Sequence, residues 1–435
     1  MPSHPVRTDR GNGGLMARQS YELPPESLND FVNYYFARRD IYLNVFQENN
    51  QPLYVLEPGV LNRQAERFRT AFGAVLPDTG FYYAVKSNNH PGVARTLLAA
   101  GFGLDVSSGL EFQTALDLNA ENIVFSGPGK TTAELIRIVE NSHRVTVLID
   151  SFGELARLEA IAAGRHKNVR AGVRLNANPS GLWRKFGILP DLLHEFWQQA
   201  GQCPHVRLEG LQFHTSWNLT PVAQVEFIRT LGGYLSGMPG AFLNKLAFID
   251  IGGGYWPEQG EWLHHLPGSE AGEPSGQNPA EDLKPHYRLA AAPIEVFARE
   301  IGQAVTRYIL PLTDCRICLE PGRWICHEAM QILMRVVDKK CNDLVITDAG
   351  TNAVGWERFE TDYFPVLNLT RPDMTERSCH ILGSLCTPHD VWGYSYFGQE
   401  IQVGDVLLVP AQGAYTYSLR QNFIKPLPKV VVLNK

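Results

Sequence analysis

The stretch FYYAVKSNNHPGV (residues 81–93) begins like a buried strand and then runs into a polar turn. Residues 81–85 are all apolar or aromatic, yet Lys86 follows them directly, ahead of a Ser-Asn-Asn-His run. Desolvating an ammonium group is costly unless a partner uses its charge. We therefore predict that this strand delivers Lys86 to a functional position at its end.

Short apolar runs of the same kind recur along the chain, and most are followed by a helical segment. Segments such as HPGVARTLLAAG and SFGELARLEAIAAG carry apolar residues at helical spacing. Because parallel strands need crossover helices, this alternation favours an α/β fold with a (β/α)8 TIM-like barrel. A doubly wound open sheet is the alternative. The predicted strands are residues 81–85, 103–106, 122–125, 145–149, 170–175, 208–213, 246–251 and 315–319.

The pattern changes after Glu320, where β-type runs such as QILMRVVDKK and DVLLVPAQ follow one another without helices. Such runs predict a second, mainly antiparallel β domain. A surface insertion at 256–290, rich in Gly, Pro and acidic residues, interrupts the barrel. The predicted organisation is a flexible N-terminal arm at 1–20, a barrel at 57–323, and a β-sandwich-like or β-barrel-like domain from 21–56 and 324–435.

The composition argues against several kinds of partner. The chain has 435 residues, 44% of them hydrophobic, and a net charge of −6, so neither nucleic acid nor an anionic membrane is expected. Its apolar runs are too short to span a bilayer, and its polar N-terminus lacks the apolar core of a secretory signal. Seven cysteines without a tight framework suit a reducing cytoplasm. No metal site is predicted.

Residues able to do chemistry stand at the C-terminal ends of six predicted strands, where a barrel of this type places its active site. Each alone is weak evidence, because strand-end lysines are usually exposed and glycine runs usually form turns. Together, at the same end of successive strands, they predict one site. The residues are Lys86, Asp105, Arg174, His214, the run Gly252-Gly253-Gly254, and Glu320 with Arg323.

These residue types suit pyridoxal 5'-phosphate. A lysine amine forms a Schiff base with its aldehyde, which explains the charge on Lys86. Glycines after a strand let backbone N–H groups approach a phosphate without obstruction by Cβ atoms. An acidic residue against the pyridine nitrogen keeps the ring protonated, and the flat imidazole of His214 can stack on the ring. The strand ends therefore predict a pyridoxal phosphate site.

Motifs from about residue 52 to residue 420 carry a resemblance to one family. They are YYAVKSN, GLDVSSGLEF, FSGPGKT, VRLNANPSGLWRKFGI, GLQFHTSWN, IDIGGGY, LEPGRWIC, LCTPHDVWG and GAYTYSL. In this order, they make the chain resemble the fold-type III pyridoxal-phosphate decarboxylases, which include diaminopimelate, ornithine and arginine decarboxylases. The resemblance implies an alanine racemase-like architecture and decarboxylation of an amino acid or an amino-acid conjugate.

The resemblance also implies a role for each matching residue. Lys86 would hold the cofactor, His214 would stack on its ring, and Glu320 would pair with the pyridinium nitrogen. The phosphate would be bound by Gly252, Gly253, Gly254, Arg323 and Tyr415, with Asp105 near the lysine and Arg174 orienting His214 or the cofactor's surroundings.

The LCTPHD loop is expected to complete the active site of a second subunit. The resemblance implies that Cys386 reaches in from a partner, so the protein would be a homodimer with shared active sites. Cys386 or Lys86 would return a proton to the α-carbon after CO2 leaves. Asp390 and Arg323 are further candidates for contact with the substrate.

Two positions depart from the family pattern. Trp217 stands where the family has a serine near the phosphate, and it could reshape the substrate side of the site. Thr387 stands where relatives that hold a distal amino group place Asp or Glu. Losing that charged partner would cost a distal ammonium about 1.5–3 kcal/mol. We therefore expect a substrate with an acylated, acidic or conjugated distal end, as in siderophore or antibiotic pathways.

Two alternatives to a decarboxylase remain open at the level of sequence. A fold-type III amino-acid racemase shares the barrel and the lysine, but such enzymes place an arginine at the pyridine nitrogen, where this chain has Glu320. A non-catalytic homologue would be expected to lose the lysine, the glutamate or the cysteine, and Lys86, Glu320 and Cys386 are all present.

Overall fold

Eight parallel strands pair side by side and close into a barrel, with the last strand returning to the first. Closure is carried by parallel pairing of Leu319 with Phe81 and of Ile317 with Thr79. This arrangement confirms the predicted (β/α)8 barrel and rules out the open sheet. The strands are β2 (Thr79–Ala84), β3 (Gly103–Val106), β4 (Ile123–Phe125), β5 (Val145–Ile149), β6 (Val169–Leu175), β7 (Val206–Phe213), β8 (Phe248–Asp250) and β11 (Arg316–Leu319).

Helices alternate with these strands, and several begin within a few residues of a strand end. Thr131 and Glu134 form a reciprocal capping box at one helix start, and Ser108 and Ser151 cap two others. These caps fix the loops at the C-terminal rim of the barrel. The helices are α3 (Pro58–Gly73), α4 (Pro91–Ala99), α5 (Gly109–Asp117), α6 (Thr132–Glu140), α7 (Phe152–Gly164), α8 (Leu193–Ala200), α9 (Val222–Ser236), α10 (Gly240–Leu243), α11 (Ile294–Tyr308) and α12 (Arg323–Cys326).

The second part of the chain is built on an eight-stranded sheet in which most neighbours are antiparallel. Its strands are β1 (Leu53–Leu56), β12 (Met330–Cys341), β13 (Leu344–Thr347), β14 (Val366–Asn368), β15 (Glu376–Leu382), β16 (Val391–Phe397), β17 (Val406–Val409) and β18 (Lys429–Val432). The strand order is β13-β15-β16-β14-β17-β12-β1-β18, and β12 also pairs with β13. A separate antiparallel pair is formed by β9 (Glu261–Leu263) and β10 (Tyr287–Leu289).

The computed structural model describes residues 23–263, 286–355 and 364–433. It divides into a barrel unit (Pro58–Glu258 and Ala292–His327) and a β unit (Met1–Glu57, Gln259–Ala291 and Glu328–Asn434). The described residues on either side of the predicted insertion's middle, 259–263 and 286–291, group with the β unit. The predicted arm at 1–20 and residues 264–285 of the insertion lie outside the described residues.

The segment before β1 is helical, although it was assigned to the β domain from sequence. It forms α1 (Pro25–Phe36) and α2 (Arg39–Asn49). Leu28, Val32 and Tyr35 recur at helical spacing and are buried in a core cluster that also holds Phe46 and Leu333. The apolar face of these helices therefore packs against the sheet.

Two kinds of feature are absent from the described part of the chain. In its three ranges, no helix is long and apolar enough to cross a membrane. No three His, Cys, Asp or Glu side chains in these ranges cluster so that they could hold a metal ion. All seven cysteines fall within the described ranges.

Candidate active site

Lys86 lies at the C-terminal rim of the barrel, on a short 3-10 helix (Val85–Ser87) that ends β2. Its Nζ donates to Oδ2 of Asp105 on β3 at 3.1 Å. Asp105 is fully buried and also accepts a hydrogen bond from Ser126, whereas the Lys86 side chain is 36% exposed. The ammonium is thus neither fully desolvated nor unpaired, and its amine can reach the barrel opening.

The Gly252-Gly253-Gly254 loop follows β8 and packs closely against its neighbours. Gly252 and Gly254 have φ values of +68° and +83°, in the left-handed region that side chains disfavour. A Cβ on Gly253 would lie 2.2 Å from the carbonyl oxygen of Glu320. The Gly252 N–H donates to Oδ1 of Asp250 at 2.8 Å. The loop is therefore a fixed backbone cradle that only glycine can form.

His214 follows β7 directly and faces the same loop. Its Nδ1 accepts a hydrogen bond from the Gly253 N–H at 3.1 Å, so the neutral ring carries its proton on Nε2. Burial lowers the pKa of His214 well below 6.5, and the nearby cations Lys86 and Arg174 lower it further. The site therefore presents an uncharged, fixed imidazole.

Two buried carboxyl groups, Glu320 after β11 and Asp250 at the end of β8, lie beneath the rim. Burial, together with the charges of Asp105 and Asp250, raises the pKa of Glu320 well above 4.5. Burial also raises the pKa of Asp250 from 3.8 to about 7. Gln212 Nε2 donates to Oε2 of Glu320 at 3.4 Å, whereas Oε1 is buried without a hydrogen-bond partner. An unpaired buried acceptor of this kind calls for a donor from a bound group.

The two predicted arginines pack against aromatic rings in the barrel unit. The Arg174 guanidinium lies 4.5 Å from the centre of the Phe186 ring, and that of Arg323 lies 4.2 Å from the Trp256 ring. Both distances are typical of cation–π contacts. Arg174 is close enough to lower the pKa of His214, and its role in orienting that residue's surroundings stays a prediction.

A cavity of about 490 Å³ lies beside His214. One wall is Trp217, whose ring meets Trp183 edge-on at 5.6 Å and is 45% exposed. Trp217 has a φ of +55°, an unusual conformation for a bulky residue. An exposed tryptophan held in a strained conformation at a cavity wall is a candidate ligand contact.

Three observations show that the barrel residues fit pyridoxal phosphate. The Lys86 amine is at the rim, the glycine loop has no room for Cβ atoms and two of its residues have positive φ, and Oε1 of Glu320 has no donor. The pyridinium N–H of the cofactor would supply the donor that Glu320 lacks. Lys86, His214, Glu320 and the three glycines are thus the residues that would hold it.

Four predicted site residues belong to the β unit. Cys386 is exposed and Thr387 is partly exposed, while Tyr415 has a left-handed φ of +58°. Asp390 is 2% exposed, and its carboxylate accepts from the backbone N–H groups of Leu385 and Thr351 at 2.6 and 2.7 Å. These bonds make Asp390 a brace for the loop that carries Cys386, and its contact with substrate stays a prediction.

Sequence reasoning missed several residues that support the site. Asp250 was overlooked although it stands inside the quoted motif IDIGGGY, two residues before the first glycine. Ser126 on the Asp105 carboxylate and Gln212 on Glu320 are recognisable only from contacts. Glu111, which accepts from the Ser107 N–H at 2.7 Å, lies in the quoted motif GLDVSSGLEF and was given no role.

Comparisons with known proteins agree with this geometry. Residues 58–327 match the family model for the pyridoxal binding domain of pyridoxal-dependent decarboxylases. Diaminopimelate decarboxylase of Aquifex aeolicus is 26% identical over 391 residues, which cover 86% of this chain and 84% of the relative. The enzyme of the same name from Pseudomonas fluorescens is 29% identical over 367 residues, covering 78% of each chain.

Solved structures show the same fold. Diaminopimelate decarboxylase from Helicobacter pylori, complexed with L-lysine, superposes with a TM-score of 0.74 at 22% identity, over 90% of this chain and 94% of that one. Lysine/ornithine decarboxylase from Vibrio vulnificus, complexed with putrescine, gives a TM-score of 0.72 at 22% identity, over 91% and 98% of the two chains.

Proposed function

The chain belongs to the pyridoxal-dependent decarboxylases and acts as a pyridoxal-phosphate-dependent amino-acid decarboxylase, and we propose that its substrate is an α-amino acid whose distal end is not a simple ammonium. The observation that carries this proposal is the cavity beside His214, walled by Trp183 and Trp217. Such a wall suits an acylated or conjugated group, since tryptophan offers a large apolar face. Thr387, neutral where a carboxylate would hold a distal ammonium, supports the same conclusion.

The chain's own residues divide the work of the reaction. Bound pyridoxal phosphate supplies the electron-withdrawing ring that accepts the bonding pair when CO2 leaves. Lys86 would provide the amine that holds the cofactor, and Oε1 of Glu320 would accept the N–H of the pyridine nitrogen. His214 presents a neutral face to the ring because its Nδ1 is occupied by Gly253. The N–H groups of Gly252 and Gly253 already donate to Asp250 and His214, so the N–H of Gly254 would be the donor that the cradle offers to the phosphate.

The proton that replaces CO2 at the α-carbon would come from Cys386 or Lys86. We propose that Cys386 is contributed by the second subunit of a homodimer, as the family resemblance implies. Its exposed position in the β unit supports this, because a buried thiol could not enter another subunit's site. The loop is braced by Asp390, which would help to hold the thiol in place.

A screen for CO2 release tests the substrate class. Lysine, ornithine and diaminopimelate should be compared with distally acylated counterparts of matched chain length. The acylated compounds should give the higher kcat/KM. Trp217→Ala should reduce that preference, whereas Trp197→Ala, which alters a tryptophan packed on Phe242 outside the cavity, should not. A clear preference for free diamino acids in the unaltered enzyme would overturn the proposal.

A further inference from the structure

Gln224 is a fully buried amide on α9, in a position that no quoted motif or mechanism explains. Burying an amide is unfavourable unless its hydrogen bonds are made, so its partner is informative. Nε2 donates to the carbonyl oxygen of Gly253 at 3.2 Å. This hydrogen bond connects a helix on the outside of the barrel to the middle of the glycine cradle.

The two peptide groups on either side of the Gly253 Cα are each held by a different side chain. The N–H of Gly253 belongs to the first peptide and donates to His214. The carbonyl of Gly253 belongs to the next peptide and accepts from Gln224. In a trans peptide the N–H points opposite to the C=O, so the bond from Gln224 also aims the N–H of Gly254 away from α9.

The side chain of Gln224 also interacts with Tyr255, the residue that directly follows the glycines. Tyr255 is 2% exposed, and its ring contacts Phe68 and Phe297 at 5.2 and 5.6 Å between centroids. The exit of the loop is therefore anchored in the aromatic packing between barrel and helices. Glycine lacks a side chain to restrict its own backbone, so these contacts must fix the loop.

We propose that Gln224 is a positioning residue that holds the glycine cradle in its phosphate-binding conformation. The proposal rests on the cofactor and not on the identity of the amino-acid substrate. A loop fixed in advance loses little conformational entropy when it binds a phosphate. Loss of the bond from Gln224 should weaken the contact with the phosphate while leaving the contacts of Lys86 and Glu320 with the ring in place.

Binding of two cofactor forms to the full-length protein separates these effects. Equilibrium dialysis would measure the Kd for pyridoxal phosphate and for pyridoxal, which lacks the phosphate. In Gln224→Met, which keeps the size but removes the donor, the Kd for pyridoxal phosphate should rise roughly 3- to 10-fold, as for one hydrogen bond. The Kd for pyridoxal should change less than about 2-fold. Ile228→Val, a core change on the same helix, should leave both constants unchanged.

A second variant, Gln224→Glu, should give a pH dependence of cofactor affinity that a general loosening of the fold would not produce. In Gln224→Glu, a protonated carboxyl can donate to the Gly253 carbonyl, whereas the ionised form repels both that oxygen and a phosphate. Relative to the unaltered protein at the same pH, its affinity for pyridoxal phosphate should therefore fall as the pH rises. Unchanged affinity in both variants, or equal weakening for pyridoxal and pyridoxal phosphate, would overturn the proposal.

Discussion

The backbone N–H of Gly253 donates to Nδ1 of His214 over 3.1 Å, so the phosphate cradle and the imidazole hold each other in place. The bond requires an unprotonated Nδ1, and the site disfavours protonation through burial and through the charges of Lys86 and Arg174. A proton on His214 would convert its acceptor into a second donor facing the Gly253 N–H. The neutral state of His214 is therefore one of the conditions that hold the loop in place.

This relationship predicts a dependence of stability on pH. The folded pKa of His214 lies well below the ordinary 6.5, so below that pH the unfolded chain binds a proton that the folded chain does not. The free energy of unfolding should then fall by about 1.4 kcal/mol per pH unit from this residue. Chemical denaturation from about pH 8 to about pH 5 would measure it, with His214→Asn as the non-titrating reference. If the difference between the two proteins is the same at every pH, His214 is not the cause.

Replacing Lys86 should abolish turnover without unfolding the protein. Lys86→Arg keeps a cation opposite Asp105, which is fully buried, but cannot form a Schiff base. We expect kcat to fall at least about 10³-fold in Lys86→Arg and Lys86→Ala. A Schiff base between Lys86 and the cofactor would give a visible absorption band that borohydride bleaches. This band should be absent from both variants. Retention of the band in either variant would mean that another amine holds the cofactor.

Glu320→Gln tests the electronic role of the buried carboxyl. Burial raises the pKa of Glu320, and a bound pyridinium would favour its ionised form. The amide has the same shape but cannot ionise, and its oxygen is a weaker acceptor than a carboxylate. The kcat for CO2 release should drop about 10²–10³-fold, with the cofactor band retained. Product analysis of the unaltered enzyme should show an amine and CO2. Recovery of the enantiomer of the substrate without CO2 would instead identify a racemase.

The barrel was predictable because its signal is local. Each strand is an apolar run and each following helix carries apolar residues at helical spacing, so the alternation appears in the sequence itself. Lys86, His214 and Glu320 were found by the same argument, since strand ends in a barrel converge on one face. The helices α1 and α2 were not predicted, although Leu28, Val32 and Tyr35 recur at helical spacing.

The supporting contacts could not be predicted, because they depend on distances between remote residues. Gln224 and Gly253 are bonded across 29 positions of sequence, and Gln212 and Glu320 across 108. A glutamine within an amphipathic helix carries no sign of the loop it will contact. The strained φ of Trp217 likewise depends on its tertiary surroundings, although its identity at that position was a visible departure from the family pattern.

The buried ion pair of Lys130 and Glu154 should make stability sensitive to the loss of one partner. Lys130 Nζ donates to Glu154 at 2.7 Å and to the carbonyls of Gly127 and Leu148, and both charged side chains are almost fully buried. Lys130→Met would leave Glu154 buried without its partner, which should lower the free energy of unfolding by about 3–5 kcal/mol. The double variant Lys130→Met, Glu154→Gln should regain part of this lost free energy of unfolding. Denaturation curves measure both, and a loss below about 1 kcal/mol would show that water replaces the lysine.

Thr387→Asp tests the basis of substrate choice. Thr387 follows the exposed Cys386 and is neutral, whereas a carboxylate there would make a charge-assisted hydrogen bond to a distal ammonium. Such a bond contributes about 1.5–3 kcal/mol, so the ratio of kcat/KM for ornithine to that for its distally acylated counterpart should rise at least about 10-fold. Thr387→Asn, with the same shape and no charge, is the matched control. Equal ratios in the two variants would show that this loop does not contact the distal group, and the aromatic wall at Trp217 would then be the remaining determinant.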